Sequence, residues 1–233
     1  MSEPLELAPG VSYWPGYLDP AQQLSLAAET FRRAETAPFY RPGMPRTGHK
    51  LSVEMTNFGS LGWFTDAEKG YRYEPSHPFS GTPWPAIPEL LLNIWCATTG
   101  YSALPEACLV NLYRGKARMG LHRDSDEQDR DAPVMSVSLG DKAIFRFGHA
   151  RKSSSTQKLL LESGDVVVFG GVARFMLHGI DRIFPGTSAL VPGGGRLNLT
   201  LRRVTIPGGQ KKAADQGGDR PPNALFALDA GRG

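Results

Sequence analysis

The chain has 233 residues, 40% hydrophobic and 21% charged, with 27 glycines, 19 prolines and a formal net charge of +3. This suits one large globular domain, or a domain with extensions, and the Gly and Pro content argues for many turns and short strands against a helical bundle. No apolar run approaches the roughly 18 residues of a membrane crossing, the start MSEPLELAPG carries no secretory signal, and Cys96 and Cys108 make no disulfide framework. A cytoplasmic protein with no membrane partner is expected; the charge is compatible with a polyanionic partner but too small to indicate one alone.

Residues 1–18 read as short strand pieces broken by Pro4, Pro9 and Pro15. Asp19 and Pro20 then open a helix, one as cap and the other in the first turn, that runs to about Thr36 and buries Leu24, Ala27, Ala28 and Phe31. Residues 37–85 change character: they are rich in Gly and Pro and mix rings (Phe39, Tyr40, Trp63, Tyr71, Tyr73, Trp84) with basic groups (Arg41, Arg46, His49, Lys50, Arg72). Residues 52–56 read as one short strand and the rest as long loops or irregular hairpins. Flat rings among positive charge stack bases and follow phosphates, and long connections in a compact domain tend to be functional. Trp84 and some tyrosines would serve equally well as packing between layers. Residues 85–99 form a second helix closed by Gly100, with Leu91, Leu92, Ile94 and Trp95 in the core and Cys96 a buried, inert thiol.

Closely spaced strands follow, at 108–113, 134–139, 143–147, 157–161, 165–169, 174–178 and 196–204, divided by glycine turns. This is the pattern of an all-β sandwich or jelly roll with two helices on one side. Beyond Ile206 the chain turns polar and Gly/Pro-rich, as a flexible tail would.

Chemistry concentrates after the first of these strands. A turn-rich connection containing Gly115 and Gly120 leads to His122-Arg123-Asp124. Residues two apart on an extended backbone face the same way, so this imidazole and carboxylate can share one metal. His178 is the best candidate for a third ligand, and two imidazoles with one carboxylate leave open positions suited to a non-haem Fe(II) oxygenase. Alone, the triplet is also what a surface histidine beside an acidic loop (Asp126, Glu127, Asp129, Asp131) would show. In the last strand Leu197, Leu199 and Leu201 alternate with Arg196, Asn198, Thr200 and Arg202, and Asn111 and Tyr113 repeat the polar alternation. A solvated face gives that pattern too; converging in a barrel mouth, the same groups make a dicarboxylate pocket, because the arginine fork pairs with a carboxylate at two points.

In order, MTNFGSLGW (55–63), GYRY (70–73), PWPAIP (83–88), NLY (111–113), LHRDSDE (121–127), PVMSVSLG (133–140), GDVVVFGG (164–171), LHGI (177–180) and RLNLTLR (196–202) resemble the AlkB family of Fe(II)/2-oxoglutarate-dependent dioxygenases, over about residues 11–204. The resemblance implies a mostly β fold, a double-stranded β-helix (jelly roll) with two supporting N-terminal helices. It implies one domain over 1–206, a nucleotide-recognition lid at about 37–85 and a tail at 207–233. Fe(II) would be held by His122, Asp124 and His178. The co-substrate 2-oxoglutarate would have its far carboxylate on Arg196 and Tyr113 and its chelating end on Asn111, Asn198 and Arg202, with O₂ the other co-substrate. Asp126 would join the catalytic set at the floor of the base pocket. Trp63 would line that pocket, Met55, His49, Tyr71 and Tyr73 would lie in the lid, and Lys152 would be a further substrate contact. The implied reaction is oxidative demethylation of 1-methyladenine and 3-methylcytosine in DNA, preferably single-stranded, by a monomer, with formaldehyde, succinate and CO₂ as products. The same chemistry on RNA or tRNA, and a non-catalytic jelly-roll binding module, are the alternatives. Phe169 departs from the family pattern, which has tryptophan there.

Overall fold

The computed structural model describes residues 3–45, 47–149 and 156–208. Strands β1 (Leu5–Ala8) and β2 (Val11–Trp14) precede helix α1 (Pro20–Ala34); β3 (Glu54–Gly59), β4 (Gly62–Asp66) and β5 (Gly70–Glu74) precede α2 (Glu89–Thr99). Eight strands follow: β6 (Ala107–Tyr113), β7 (Met119–His122), β8 (Val134–Gly140), β9 (Ala143–Gly148), β10 (Thr156–Leu161), β11 (Val166–Phe169), β12 (Leu177–Ile183) and β13 (Arg196–Arg202). They form a seven-stranded sheet in the order β1-β2-β11-β8-β13-β6-β3, a four-stranded sheet in the order β10-β9-β12-β7, and a separate β4-β5 ribbon. Neighbouring strands pair antiparallel, and two facing sheets with crossovers between them make the expected jelly roll. Among the described residues no helix is long and apolar enough to cross a membrane.

Period-two alternation splits the large sheet into two faces with different partners. Val110, Leu112, Val137, Leu139, Leu197, Leu199 and Leu201 share one core with Leu26 of α1 and Leu91, Ile94 and Trp95 of α2. The opposite face carries Tyr113, Val167 and Phe169 into a second core with Phe145, Phe147 and Ile180 of the smaller sheet. Burial on both faces explains why the central strands are so apolar. It also means that polar groups on the inner face of β13 and β6 are enclosed between the sheets, which removes the solvated-face reading.

Helix α1 begins as expected, Asp19 and Gln22 forming a reciprocal capping box with Pro20 in the first turn. Its buried stripe, however, is Leu26, Ala27, Thr30 and Ala34, whereas Leu24 is 63% exposed and Ala28 faces solvent. The docked face follows the i, i+4, i+8 row from Leu26, and Thr30 tolerates it because its hydroxyl donates to the Leu26 carbonyl. Helix α2 starts at Glu89 rather than 85, since Pro88 caps it in extended backbone (φ −52°, ψ 135°). Gly100 closes it in the left-handed conformation, φ 64°. Cys96 is exposed, not buried, one residue round the helix from the inward Trp95.

Other boundaries shift for identifiable reasons. Only the end of the stretch at 174–178 is strand: a 3-10 turn at Gly171–Ala173 continues into residues whose Arg174 is drawn inward, and β12 begins at Leu177. Residues 119–122, which read as part of a turn-rich connection, pair with β12 as β7. Part of the stretch that reads as loops is the regular β4-β5 ribbon, and the short strand there is β3, at the margin of the large sheet. The last strand ends at Arg202, because Glu106 takes the backbone N–H groups of Val204 and Thr205 instead. Lys152 and the tail from 209 lie outside the described residues.

Candidate active site

The pairing of β7 with β12 sets His122 directly across from His178. Gly179 permits that closeness: a Cβ there would lie 2.5 Å from the Met119 carbonyl oxygen and 2.7 Å from that of Gly120. The imidazole centroids are 4.5 Å apart, and Phe169 stacks on His178 at 5.2 Å with the ring planes 19° apart. Asp124 completes the group, Oδ1 3.8 Å from His122 Nε2 and Oδ2 3.6 Å from His178 Nε2. The three candidate ligand atoms lie within 4.8 Å of one another.

Each histidine is fixed in the tautomer a metal requires. Nδ1 of His122 is 2.9 Å from the Gly120 carbonyl, and Nδ1 of His178 is 3.1 Å from that of Met176. A carbonyl only accepts, so both Nδ1 atoms carry the proton and both Nε2 lone pairs face the gap. Burial first, then neighbouring His178, lowers the His122 pKa to about 4, leaving it neutral and ready to bind a cation. Burial alone would raise the Asp124 carboxyl, but Arg202 and then the two imidazoles outweigh it and hold the group well below the usual carboxylate range. Asp124 Oδ1 accepts from Arg202 Nη2 at 2.8 Å, while buried Oδ2 has no hydrogen-bond partner among the described residues. A buried, ionised oxygen left open between two imidazole lone pairs fits a divalent cation, since such a group is otherwise costly.

A cavity opens beside this triad, lined by residues from both sheets and from the ribbon. Met55, Asn111, Tyr113, Asp126, Asn198 and Arg202 all border it, as does Trp63. The register places Arg196 across from Tyr113 and Asn198 across from Asn111, so the polar groups singled out in the sequence do converge. Arg196 is completely buried, and its Nη2 donates to Ser138 Oγ at 2.7 Å. Its Nε and Nη1 have no partner among the described residues, nor has Asn111 Oδ1. Burial lowers the Arg196 pKa to about 10, which still leaves a cation at neutral pH. A buried guanidinium with two idle donors fits an anionic ligand that brings its own carboxylate.

On the ribbon side Trp63 stacks on Tyr71, with centroids 5.6 Å and planes 24° apart, and donates Nε1 to Asp126 Oδ2 at 2.9 Å. Asn57 clamps the Trp63 backbone through both its N–H and its carbonyl, each at 3.0 Å. Sequence reasoning missed Arg174 and the inward role of Glu127. Arg174 donates to the carbonyls of Ala132 and Asp124 at 2.7 Å each, and to Glu127 Oε2 at 3.0 Å. An arginine inside the apolar run ARFML was the available signal, since such a charge is buried only when paired.

A jelly roll that carries two histidines and an aspartate on its inner wall, beside a cavity with a buried arginine, defines the oxygenase class of mononuclear metal sites. Residues 10–202 match the family described as the 2OG-Fe(II) oxygenase superfamily, and the chain belongs to it. It is 51% identical over 206 residues to the alpha-ketoglutarate-dependent dioxygenase AlkB homolog of Caulobacter vibrioides, covering 88% of this chain and 92% of that one. It is 43% identical over 175 residues to the alpha-ketoglutarate-dependent dioxygenase AlkB of Escherichia coli, covering 73% and 80%. The solved structure of OsALKBH1 superposes with a TM-score of 0.72 at 32% identity, covering 85% of this chain and all of that one.

Proposed function

We propose that this enzyme is an Fe(II)/2-oxoglutarate-dependent dioxygenase that removes alkyl groups oxidatively from bases in nucleic acid, with 1-methyladenine and 3-methylcytosine in single-stranded DNA as substrates. The observation that carries the reading is an open metal triad in a cavity that Asn111 and Tyr113 also line, with the idle guanidinium of Arg196 buried on the strand position paired with Tyr113. His122, Asp124 and His178 hold the ion. Arg196 and Tyr113 anchor the far carboxylate of 2-oxoglutarate, and Asn111, Asn198 and Arg202 receive its chelating end. When bound, ion and keto acid supply oxidation of the N-alkyl carbon by O₂, with succinate and CO₂ as co-products.

The chain's own residues then select and release the base. Alkylation at adenine N1 or cytosine N3 makes the ring cationic, and the Asp126 carboxylate, held by Trp63 Nε1, favours that charge. Once the alkyl carbon leaves as formaldehyde the ring is neutral, so this attraction disappears and the product is released. Trp63 and Tyr71 offer the flat surface for an extruded base, and Met55 closes the wall behind it. Extraction from a duplex costs unstacking energy, which favours single strands. The enzyme acts as a cytoplasmic monomer, with residues 1–206 as its catalytic domain, the segment around 37–85 over the base and Lys152 as a further substrate contact.

The test is to supply Fe(II) and 2-oxoglutarate under anaerobic conditions, admit air, and follow 1-methyladenine and 3-methylcytosine in matched single-stranded DNA and RNA by mass. Loss of methyl mass that needs both additions is the expected result, faster on DNA. Succinate without loss of methyl would overturn the substrate, faster loss on RNA would overturn the strand preference, and neither product would overturn the whole reading.

A further inference from the structure

Among the described residues the β4-β5 ribbon forms no backbone ladder with either sheet. A two-stranded ribbon is marginal by itself, so its side chains must seat it. Two of the anchors reach the same place: Trp63 of β4 donates to Asp126, and the Tyr73 hydroxyl of β5 donates to Glu127. These acceptors stand two and three residues after Asp124. The stretch that presents a metal ligand therefore also holds the ribbon.

Glu127 lies behind the cavity rather than on its wall, at 2% side-chain exposure. Its Oε1 takes the Tyr73 hydroxyl and faces Arg202 Nε at 3.5 Å, and its Oε2 takes Arg174 Nη2 at 3.0 Å. Both arginines continue to Asp124, Arg174 to its carbonyl at 2.7 Å and Arg202 to its Oδ1 at 2.8 Å. Two buried acids and two buried bases thus balance one another, and both arginines carry the path from Tyr73 and Glu127 on to Asp124, Arg174 also holding the Ala132 carbonyl. Burial and the adjacent Glu127 hold the Tyr73 phenol far above its ordinary pKa, so it remains a donor. A cluster needed only to brace the loop would be electrically complete without a hydroxyl from the ribbon.

We propose that Glu127 is a positioning residue that couples seating of the β4-β5 ribbon to the orientation of Asp124, so that a well-formed metal site and a closed base pocket favour each other. This rests on the reading of Asp124 as a metal ligand. Coupling between two sites is reciprocal: what ribbon seating does for metal affinity, metal binding does for ribbon seating, by the same factor.

The experiment compares wild type, Tyr73→Phe and Glu127→Gln in two readouts that need no turnover: Mn(II) affinity by titration calorimetry, and amide hydrogen exchange of residues 62–74 with and without Mn(II). In wild type, Mn(II) slows exchange across the ribbon. In Tyr73→Phe, which deletes one oxygen and keeps the ring, Mn(II) affinity falls about tenfold and the slowing shrinks by a similar factor, a coupling within the usual range. Glu127→Gln gives the same result, and the double variant is no worse than the stronger single one. If Glu127→Gln fails to fold, Tyr73→Phe alone decides. Faster ribbon exchange in the variants with Mn(II) affinity within twofold of wild type overturns the coupling and leaves only a structural brace. Wild type that binds no Mn(II), or binds it equally well as Asp124→Ala, overturns the metal reading beneath the proposal instead.

Discussion

The two buried arginines of β13 should respond in opposite ways to the same substitution. Among the described residues Arg196, 0% exposed, has one side-chain hydrogen bond and two idle donors, whereas Arg202, 5% exposed, is paired with Asp124 and Glu127. Removing one partner of a buried pair strands the other and costs about 3–5 kcal/mol. Arg202→Met should therefore lower the unfolding midpoint of the metal-free protein by roughly 6–20 °C, at about 2–4 °C per kcal/mol for a chain of this size. Arg196→Met strands no carboxylate; it removes an uncompensated cation, and the Ser138 hydroxyl can turn away, so stability should stay level or rise. Its cost falls on the ligand instead. Two charge-assisted hydrogen bonds at about 1.5–3 kcal/mol each make about 3–6 kcal/mol, or roughly 10²–10⁴-fold weaker 2-oxoglutarate binding. Thermal unfolding and calorimetric titration of 2-oxoglutarate onto the Mn(II)-loaded protein read the two effects separately. If Arg196→Met unfolds as easily as Arg202→Met and binds 2-oxoglutarate normally, the assignment of Arg196 is wrong.

Other consequences follow from the triad. Gly179→Ala would drive a methyl group into the Met119 and Gly120 carbonyls; the strands must part, and unfolding should show a loss of about 1–3 kcal/mol together with at least tenfold weaker Mn(II) binding. Asp124→Ala should abolish succinate formation as well as demethylation, and normal iron-dependent turnover by that variant would refute the ligand set. Mn(II) at a hundred times its dissociation constant should stabilise the apo protein by about 2.7 kcal/mol. That shift should vanish on adding a chelator, and its survival in His178→Ala would place the ion elsewhere.

The strands flanking the site were legible because their alternation is strict. Leu197, Leu199 and Leu201 against Arg196, Asn198, Thr200 and Arg202 needed only a period of two, and the structure puts those sets on opposite faces. What the pattern could not show was whether the polar face met water or a second sheet, because enclosure depends on strands distant in the chain. Strand β7 was illegible for a different reason: four residues with a glycine among them carry no periodic signal, and only the ladder to β12 defines them. Leu24 misled because apolar periodicity on α1 offered more than one stripe, and docking on the sheet chose the row from Leu26. Arg174 was hidden by its neighbours, an apolar run that suggested a strand while the arginine's three acceptors turned the backbone. The triad itself was legible residue by residue, but the tautomers that make it fit for a metal depend on carbonyls that no motif contains.

Strand β13 also sets a length. Arg196 and Arg202 lie on the same face, six residues apart, which on an extended backbone is about 20 Å. Both side chains are buried between the sheets, Arg196 held by Ser138 and Arg202 by Asp124, so the strand presents two separate guanidinium groups to a ligand with two carboxylates. The two groups are not equivalent. Arg202 is already neutralised by Asp124, and its pKa is held up by that carboxylate despite burial, so an anion arriving there shares its cation with the metal ligand. Among the described residues Arg196 has two donors without a hydrogen-bond partner to offer. On the proposed assignment a dicarboxylate would meet a strong anchor at Arg196 and a weaker, metal-linked one at Arg202. On that same assignment this would orient an unsymmetrical keto acid, with the plain carboxylate on Arg196 and the end able to chelate beside the triad. On this reasoning Arg196→Met should cost more affinity for 2-oxoglutarate than for pyruvate, which has the chelating end and no second carboxylate. Competition of both acids for the Mn(II)-loaded protein measures the difference, and an equal loss for the two would refute the orientation.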